Sequence, residues 1–289
     1  MLVVSKQDKA LCSDRANTVD HDRVAALHYL GNYTRTLPVS MARMMENARD
    51  WEHLPHIHAS SFAAIEAIDQ GHWGWRAKVA QPGEGAEDQL LELVIDYEQN
   101  YWATAILAGA AQGVEVHTRA TEIAAQEIEI DVRFYNATEL PEEMSAIYLE
   151  VLQGQYATLY DEDVPLMSGR QQALDDQRQR RDSNAGSADI LVGEIEKLPR
   201  NEATVVDTPT GRYCVRYRDG QWLAHSAVCT HQLGPLDRSL LASDGSVTCP
   251  WHGYRFDIAS GENLDGKCAS LATAPQLEER SGKLYLLSA

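Results

Sequence analysis

Cys229-Thr-His231 and Cys249-Pro-Trp-His252 place two thiols and two imidazoles in two short arms of the chain. Thiolate and imidazole are soft to borderline donors, so the first chemistry such a set suggests is transition-metal binding. Zinc accepts a Cys2His2 set in structural sites. Zinc fingers, however, usually group their ligands as a Cys pair and a His pair, whereas here each arm mixes one of each. Mixed arms suit a cluster whose two metals differ in ligation. A [2Fe–2S] cluster with both thiolates on one iron and both imidazoles on the other has that property, and its chemistry is one-electron transfer.

The flanking residues agree: Gly234-Pro235-Leu236 follows the first arm and Gly253-Tyr254-Arg255-Phe256-Asp257 the second. The stretch resembles the Rieske family over residues 188–289. High-potential members carry an extra, bridging cysteine in each loop. Gly234 and Trp251 stand in those places here, so the resemblance is to the ferredoxin and oxygenase branch and implies a low-potential carrier.

A second constellation lies near the start: Asn47, Asp50, His53 and His58, with His56 between the last two. A His-x4-His pair alone is a modest metal signal, because most such histidines are surface or hydrogen-bonded core residues. Beside a Rieske motif it gains meaning. Rieske non-heme iron oxygenases pair the cluster with a mononuclear Fe(II), and their Asn-x2-Asp-x2-His-x4-His pattern matches these four residues in type and spacing. The resemblance implies that His53 and His58 are iron ligands and that Asp50 bridges an iron histidine to a Rieske histidine. It places Asn47 close behind them, and His56 falls on no ligand position. The third ligand is expected from an acid on a late helix: Asp163, with Glu162 and Asp161 as alternatives. Two histidines and one carboxylate leave iron positions open for dioxygen beside a substrate.

The implied activity is O2-dependent hydroxylation, dihydroxylation or oxidative dealkylation of a small organic substrate, with electrons from a reductase or ferredoxin partner. The alternative is a Rieske ferredoxin fused to a ligand-holding domain without iron. This chain reverses the usual order of the two domains. It is expected to form a homo-oligomer, a trimer by resemblance, with electrons passing between subunits; delivery within one chain is the other option.

These residues need elements to position them. Ser40 caps a helix expected over Met41–Trp51, and Pro55 should end or bend it. Period-two patterns run through Trp73–Val79, Leu91–Glu98, Tyr101–Leu107, Val114–Arg119 and Ile128–Phe134. They predict an antiparallel sheet with one buried face. Trp73, Trp75, Tyr101 and Trp102 on these strands are candidates for an aromatic pocket or for cross-strand pairs. From Pro141 the period lengthens, and Met144, Ile147, Tyr148 and Val151 make a helical apolar stripe. Helix, sheet and long last helix together imply an α+β helix-grip fold over residues 21–174. Residues 1–20 read as a polar tail or loosely attached arm, and residues 175–187 as a frayed helix end and linker. Short strands at 190–198, 203–207, 212–217 and 222–227 open an all-β domain over 188–289.

The net charge of −18, from 43 acidic and 25 basic residues, argues against nucleic-acid or anionic-membrane binding through a basic patch. Cys12, Cys214 and Cys268 form no even framework and read as reduced thiols of a cytoplasmic protein. The first residues make no signal peptide, and no apolar run approaches the ~18 residues of a membrane span.

Overall fold

The computed structural model describes residues 2–182 and 188–288. The chain divides into two compact units, Met1–Ser168 and Gly169–Ala289.

The first unit runs α1 (Lys6–Ser13), α2 (His21–Val24), β1 (His28–Leu37), α3 (Met41–Arg49), α4 (Leu54–Ile57) and β2 (Ala64–Gly71). It continues with β3 (Gly74–Ala80), β4 (Gln89–Asp96), β5 (Tyr101–Gly109), β6 (Val114–Ala124), β7 (Glu127–Asn136) and the start of α5 (Glu142–Asp182). The seven strands form one antiparallel sheet in the order β1-β7-β6-β5-β4-β3-β2. The alternation in β7 works as expected: Ile128, Ile130, Val132 and Phe134 are fully buried while Glu129 and Arg133 are exposed. Each such side chain contributes about 1.5–3 kcal/mol of transfer free energy. Phe134 meets Tyr156 of α5 edge-on, with ring centroids 5.4 Å apart, so this is the face the helix covers. A curved meander closed by a long last helix is a helix-grip fold, α+β in class.

Three expectations about this unit need correction. Residues 1–20 are not a loose tail. Ser5 and Asp8 form a reciprocal capping box that starts α1, and Cys12 and Val19 are buried. Arg15 Nε donates to Glu92 at 2.7 Å, and the buried Arg76 donates to the Ala16 carbonyl and to Asn17 Oδ1, each at 2.8 Å. The arm thus covers the outer sheet face, which explains why Glu92, Glu115 and His117, on the polar side of the alternation, are buried. Next, the stripe at the start of α5 is not core: Met144, Ile147 and Val151 are 46, 56 and 63% exposed. The buried face lies further along, at Tyr160, Asp163, Leu166 and Met167. Finally, the expected linker begins inside α5, which runs to Asp182; residues 183–187 lie outside the described residues.

The four aromatic pocket candidates divide between faces. Trp102 pairs with Thr118, and Thr118 with Val132, which sets Trp102 on the side of α5. Trp73 and Tyr101 pack on the other face against Val19, Val94 and Ala103.

Beyond the last turns of α5, the second unit contains β8 (Ile190–Glu194), β9 (Thr204–Asp207), β10 (Arg212–Arg218), β11 (Gln221–Ser226), β12 (Ser246–Thr248), β13 (Arg255–Asp257), β14 (Leu277–Arg280) and β15 (Lys283–Leu286). They form sheets ordered β11-β10-β9, β14-β15-β8 and β12-β13. Val206, Tyr213, Val215, Trp222, Leu284 and Leu286 make its core. Among the described residues no helix is long and apolar enough to cross a membrane.

Candidate metal centres

The first centre is assembled around α4, a single turn. Asp50 is the C-cap of α3; its Oδ1 accepts from the Glu52 N–H at 3.2 Å, which fixes the carboxylate at the turn. His53 is the N-cap of α4 and His58 its C-cap. Pro55 therefore opens this turn, near the position where a missing N–H costs nothing, and does not end the preceding helix. The backbone N–H groups of His56 and Ile57 donate to the His53 carbonyl at 2.9 Å, and that of His58 to Leu54 at 2.9 Å. These bonds bring the two imidazoles to one side, with ring centroids 5.2 Å apart. Trp75 Nε1 donates to the Ala48 carbonyl at 3.2 Å and ties α3 to the sheet.

Asp163 approaches from α5. Its Oδ1 lies 3.4 Å from His53 Nε2 and 3.0 Å from His58 Nε2, and all three side chains are buried. One donor atom from each of the three falls within 4.8 Å of the other two. Although close, Asp163 Oδ1 and both ring nitrogens of His53 lack a hydrogen bond of acceptable geometry. His53 Nε2, His58 Nε2 and Asp163 Oδ1 converge on a shared position, while His53 Nδ1 faces Asp50. Two donors bound side by side at about 2.1 Å to one ion stand about 3 Å apart, so the spacing fits a metal. Burial alone would lower the His53 pKa, but Asp163 and Asp50 outweigh it and push it up to about 10. Burial raises Asp163, yet the two histidines hold it down at about 2. These shifts describe a buried carboxylate whose charge the neighbouring imidazoles offset.

The three acids of α5 go separate ways. Asp161 is 65% exposed and pairs with Arg35 at 2.7 Å. Glu162 Oε2 lies 2.8 Å from His58 Nδ1, and Asp163 faces the centre. Asp50 Oδ2 stands 3.6 Å from His53 Nδ1. Asn47 is buried on α3, and its Oδ1 is shielded without a hydrogen-bond partner. His56 is exposed and is not among the three clustered donors.

The second centre is formed by two loops of matching design. Cys229 N–H donates to the Gly234 carbonyl at 2.9 Å, and Cys249 N–H to the Tyr254 carbonyl at 2.8 Å. Leu233 and Gly253, at the same place in each loop, have φ of +63° and +68°. Leucine carries a steric cost of about 1–2 kcal/mol there, which glycine avoids. A Cβ at Gly234 would sit 2.7 Å from Cys249 Sγ, so that position admits glycine because of the sulfur beside it. Cys229, Cys249 and His252 are buried, and the Nδ1 atoms of His231 and His252 are shielded from solvent. The two rings meet edge-on with centroids 4.5 Å apart. The two buried sulfurs interact closely, which draws Cys249 below and pushes Cys229 above the ordinary thiol range. One of the pair is thus favoured as thiolate, the form a metal takes. Paired sulfurs and paired shielded imidazole nitrogens in two equivalent loops fit a [2Fe–2S] cluster.

Several contacts at these centres carried no sequence signal. Tyr254 stacks on His231 with centroids 4.7 Å apart, and Thr230 Oγ1 donates to the Ala269 carbonyl at 2.6 Å, pinning the first loop to a third. Glu162, named in the sequence only as an alternative ligand, gave no sign of its contact with His58, which lies 104 positions away.

Comparison with known proteins gives three findings. The family model for the Rieske [2Fe-2S] domain matches residues 189–277. A human Rieske domain-containing protein is 28% identical over 78 residues, 26% of this chain and 50% of that protein, so the chain spans about half the length of this curated relative. Among solved structures, the ferredoxin of carbazole 1,9a-dioxygenase from Nocardioides aromaticivorans IC177 covers 36% of this chain and 100% of its own (20% identity, TM-score 0.33). The Zhui aromatase/cyclase from Streptomyces sp. R1128 covers 50% and 95% (12% identity, TM-score 0.41). Residues 189–277, which contain both cluster loops, are a Rieske [2Fe-2S] domain, and it follows a helix-grip unit in the same chain.

Proposed function

We propose that the chain is a Rieske-type non-heme iron oxygenase. The observation that carries this reading is the convergence of His53, His58 and Asp163, from two elements far apart in sequence, in a chain that also has a Rieske domain. Cys229, Cys249, His231 and His252 would hold the cluster, which supplies single electrons. His53, His58 and Asp163 would hold ferrous iron, which supplies activation of O2 for hydroxylation, dihydroxylation or dealkylation of a small organic substrate.

The chain's own residues do the remainder. Asp163 gives the site its negative charge and stays ionised in the interior. Asp50 sets a second carboxylate behind His53 and, on this reading, lies on the path by which electrons reach the iron. The partners are a reductase or ferredoxin as electron donor and further copies of the chain. The test is metal content and turnover together. Purified holoprotein should contain roughly three irons per chain. Once reduced chemically, it should consume O2 faster with a productive member of a compound panel than without. Two irons per chain after anaerobic Fe(II) loading, with no product from any compound, would instead support an electron carrier fused to a ligand-holding domain.

A further inference from the structure

We propose that Glu162 is a positioning residue of the metal site: it holds His58 in the tautomer and orientation that turn Nε2 toward the ion. This rests on the metal reading of His53, His58 and Asp163. The His58 ring is touched on both edges by consecutive residues of α5. His58 Nε2 faces Asp163 Oδ1 at 3.0 Å, while His58 Nδ1 lies 2.8 Å from Glu162 Oε2. A carboxylate can only accept at that distance, so Nδ1 carries a proton; with an ion between Nε2 and Asp163, the Nε2 lone pair is then the one that faces it. The ring then presents a donor atom to the same position that Asp163 faces.

The neighbouring carboxylates are placed differently. Asp161 is turned outward to Arg35. On the companion histidine, Asp50 stands at 3.6 Å from Nδ1, beyond hydrogen-bond range. The Glu162 contact is therefore the tighter of the two ties behind the imidazoles. Glu162 itself is 32% exposed on its side chain, so it is not a packing residue of the core. To ligate the ion directly it would have to leave His58, because it sits on the far edge of that ring.

Backing carboxylates of this kind typically change metal affinity about 10- to 100-fold when removed. The experiment is anaerobic titration of the full-length protein, cluster intact and oxidised, with Fe(II) and separately with Co(II). Binding is followed by calorimetry and the Co(II) EPR signal. Wild type is compared with Glu162→Ala, Glu162→Gln, Asp163→Ala and His53→Ala, each checked for far-ultraviolet circular dichroism and the visible cluster spectrum. Glu162→Ala should bind both ions about 10- to 100-fold more weakly with an altered Co(II) signal. Glu162→Gln should lose less, since its carbonyl still accepts from Nδ1–H. Wild-type affinity in Glu162→Ala, with binding lost in Asp163→Ala, would overturn the proposal and leave the metal reading standing. Binding lost in Glu162→Ala but kept in Asp163→Ala would make Glu162 a ligand and overturn it too. Equal affinity in all five proteins would overturn the metal reading and this proposal with it.

Discussion

Asp50 answers to two constraints. Its Oδ1 closes the turn after α3 by accepting from Glu52, and its Oδ2 faces His53. Asp50→Asn keeps an acceptor for the turn and removes the charge behind the imidazole. Both metals should remain at saturating iron, since Asp50 ligates neither, while oxidation of the prereduced cluster by O2 with substrate bound should slow severely. A wild-type rate with unchanged iron content would remove Asp50 from the electron path. At this scale the sequence was most informative where the chemistry is local. Cys229, His231, Cys249 and His252 are legible because the two short loops dictate both residue type and spacing. His53 and His58 are legible for the same reason, being the two ends of one helical turn. Glu162 is not, because its relation to His58 exists only once α5 has packed beside α4.

Elements show a different balance. The sheet could be read from alternation wherever one face is buried, as in β7. It was read in β3 and β4 as well, but not the burial there of the polar phase, where Arg76 and Glu92 are 1 and 2% exposed. The reason is the arm of residues 2–25, whose own polar sequence conceals that it brings partners for these charges. Arg76 donates to Glu92 Oε2 at 2.5 Å as well as to the arm. Arg76→Met should therefore cost about 3–5 kcal/mol by leaving a buried carboxylate short of one cation. It should also expose the arm to limited proteolysis. An unchanged denaturation midpoint and cleavage pattern would show the arm to be held otherwise. In the second unit, β11 carries a buried histidine that predicts a pH effect. Burial lowers His225 to about 4, only partly offset by the Ser226 carbonyl. The unfolded ring titrates near about 6.5, so between these values the folded state binds fewer protons and stability rises with pH. The contribution is complete above about 6.5 and is lost as pH falls toward 4, to the extent of ~3 kcal/mol. His225→Gln should flatten the Tm slope of this unit between pH 7 and 5; an unaltered slope would assign the acid sensitivity elsewhere.

For the whole molecule, the organisation matters more than either site alone. The order of a helix-grip unit followed by a Rieske domain was legible from the motifs, since each carries its own spacing. The boundary was not, because α5 continues through Pro165 and past the end of the first unit to Asp182. A polar, charged run such as Asp175–Asp182 has no apolar stripe to announce a helix, and continuity with the preceding turns sustains it. Each unit nevertheless has its own core and its own cluster of proposed donors: His53, His58 and Asp163 in the first, the paired cysteines and histidines in the second. Loss of one centre should therefore leave the other assembled. His53→Ala with His58→Ala removes both imidazole donors from the first site, and the lone Asp163 then lacks partners to hold an ion. That double variant should keep the visible and reduced EPR signals of the cluster and contain roughly two irons per chain. His231→Ala and His252→Ala should each destroy the cluster signals, because two sulfurs and one imidazole leave one iron a ligand short, while Fe(II) still binds at the first site. The two results are reciprocal, so each controls for general misfolding in the other. A Rieske spectrum that collapses in the double variant, with the second unit still folded, would mean that the two centres are built as one and would overturn the modular reading.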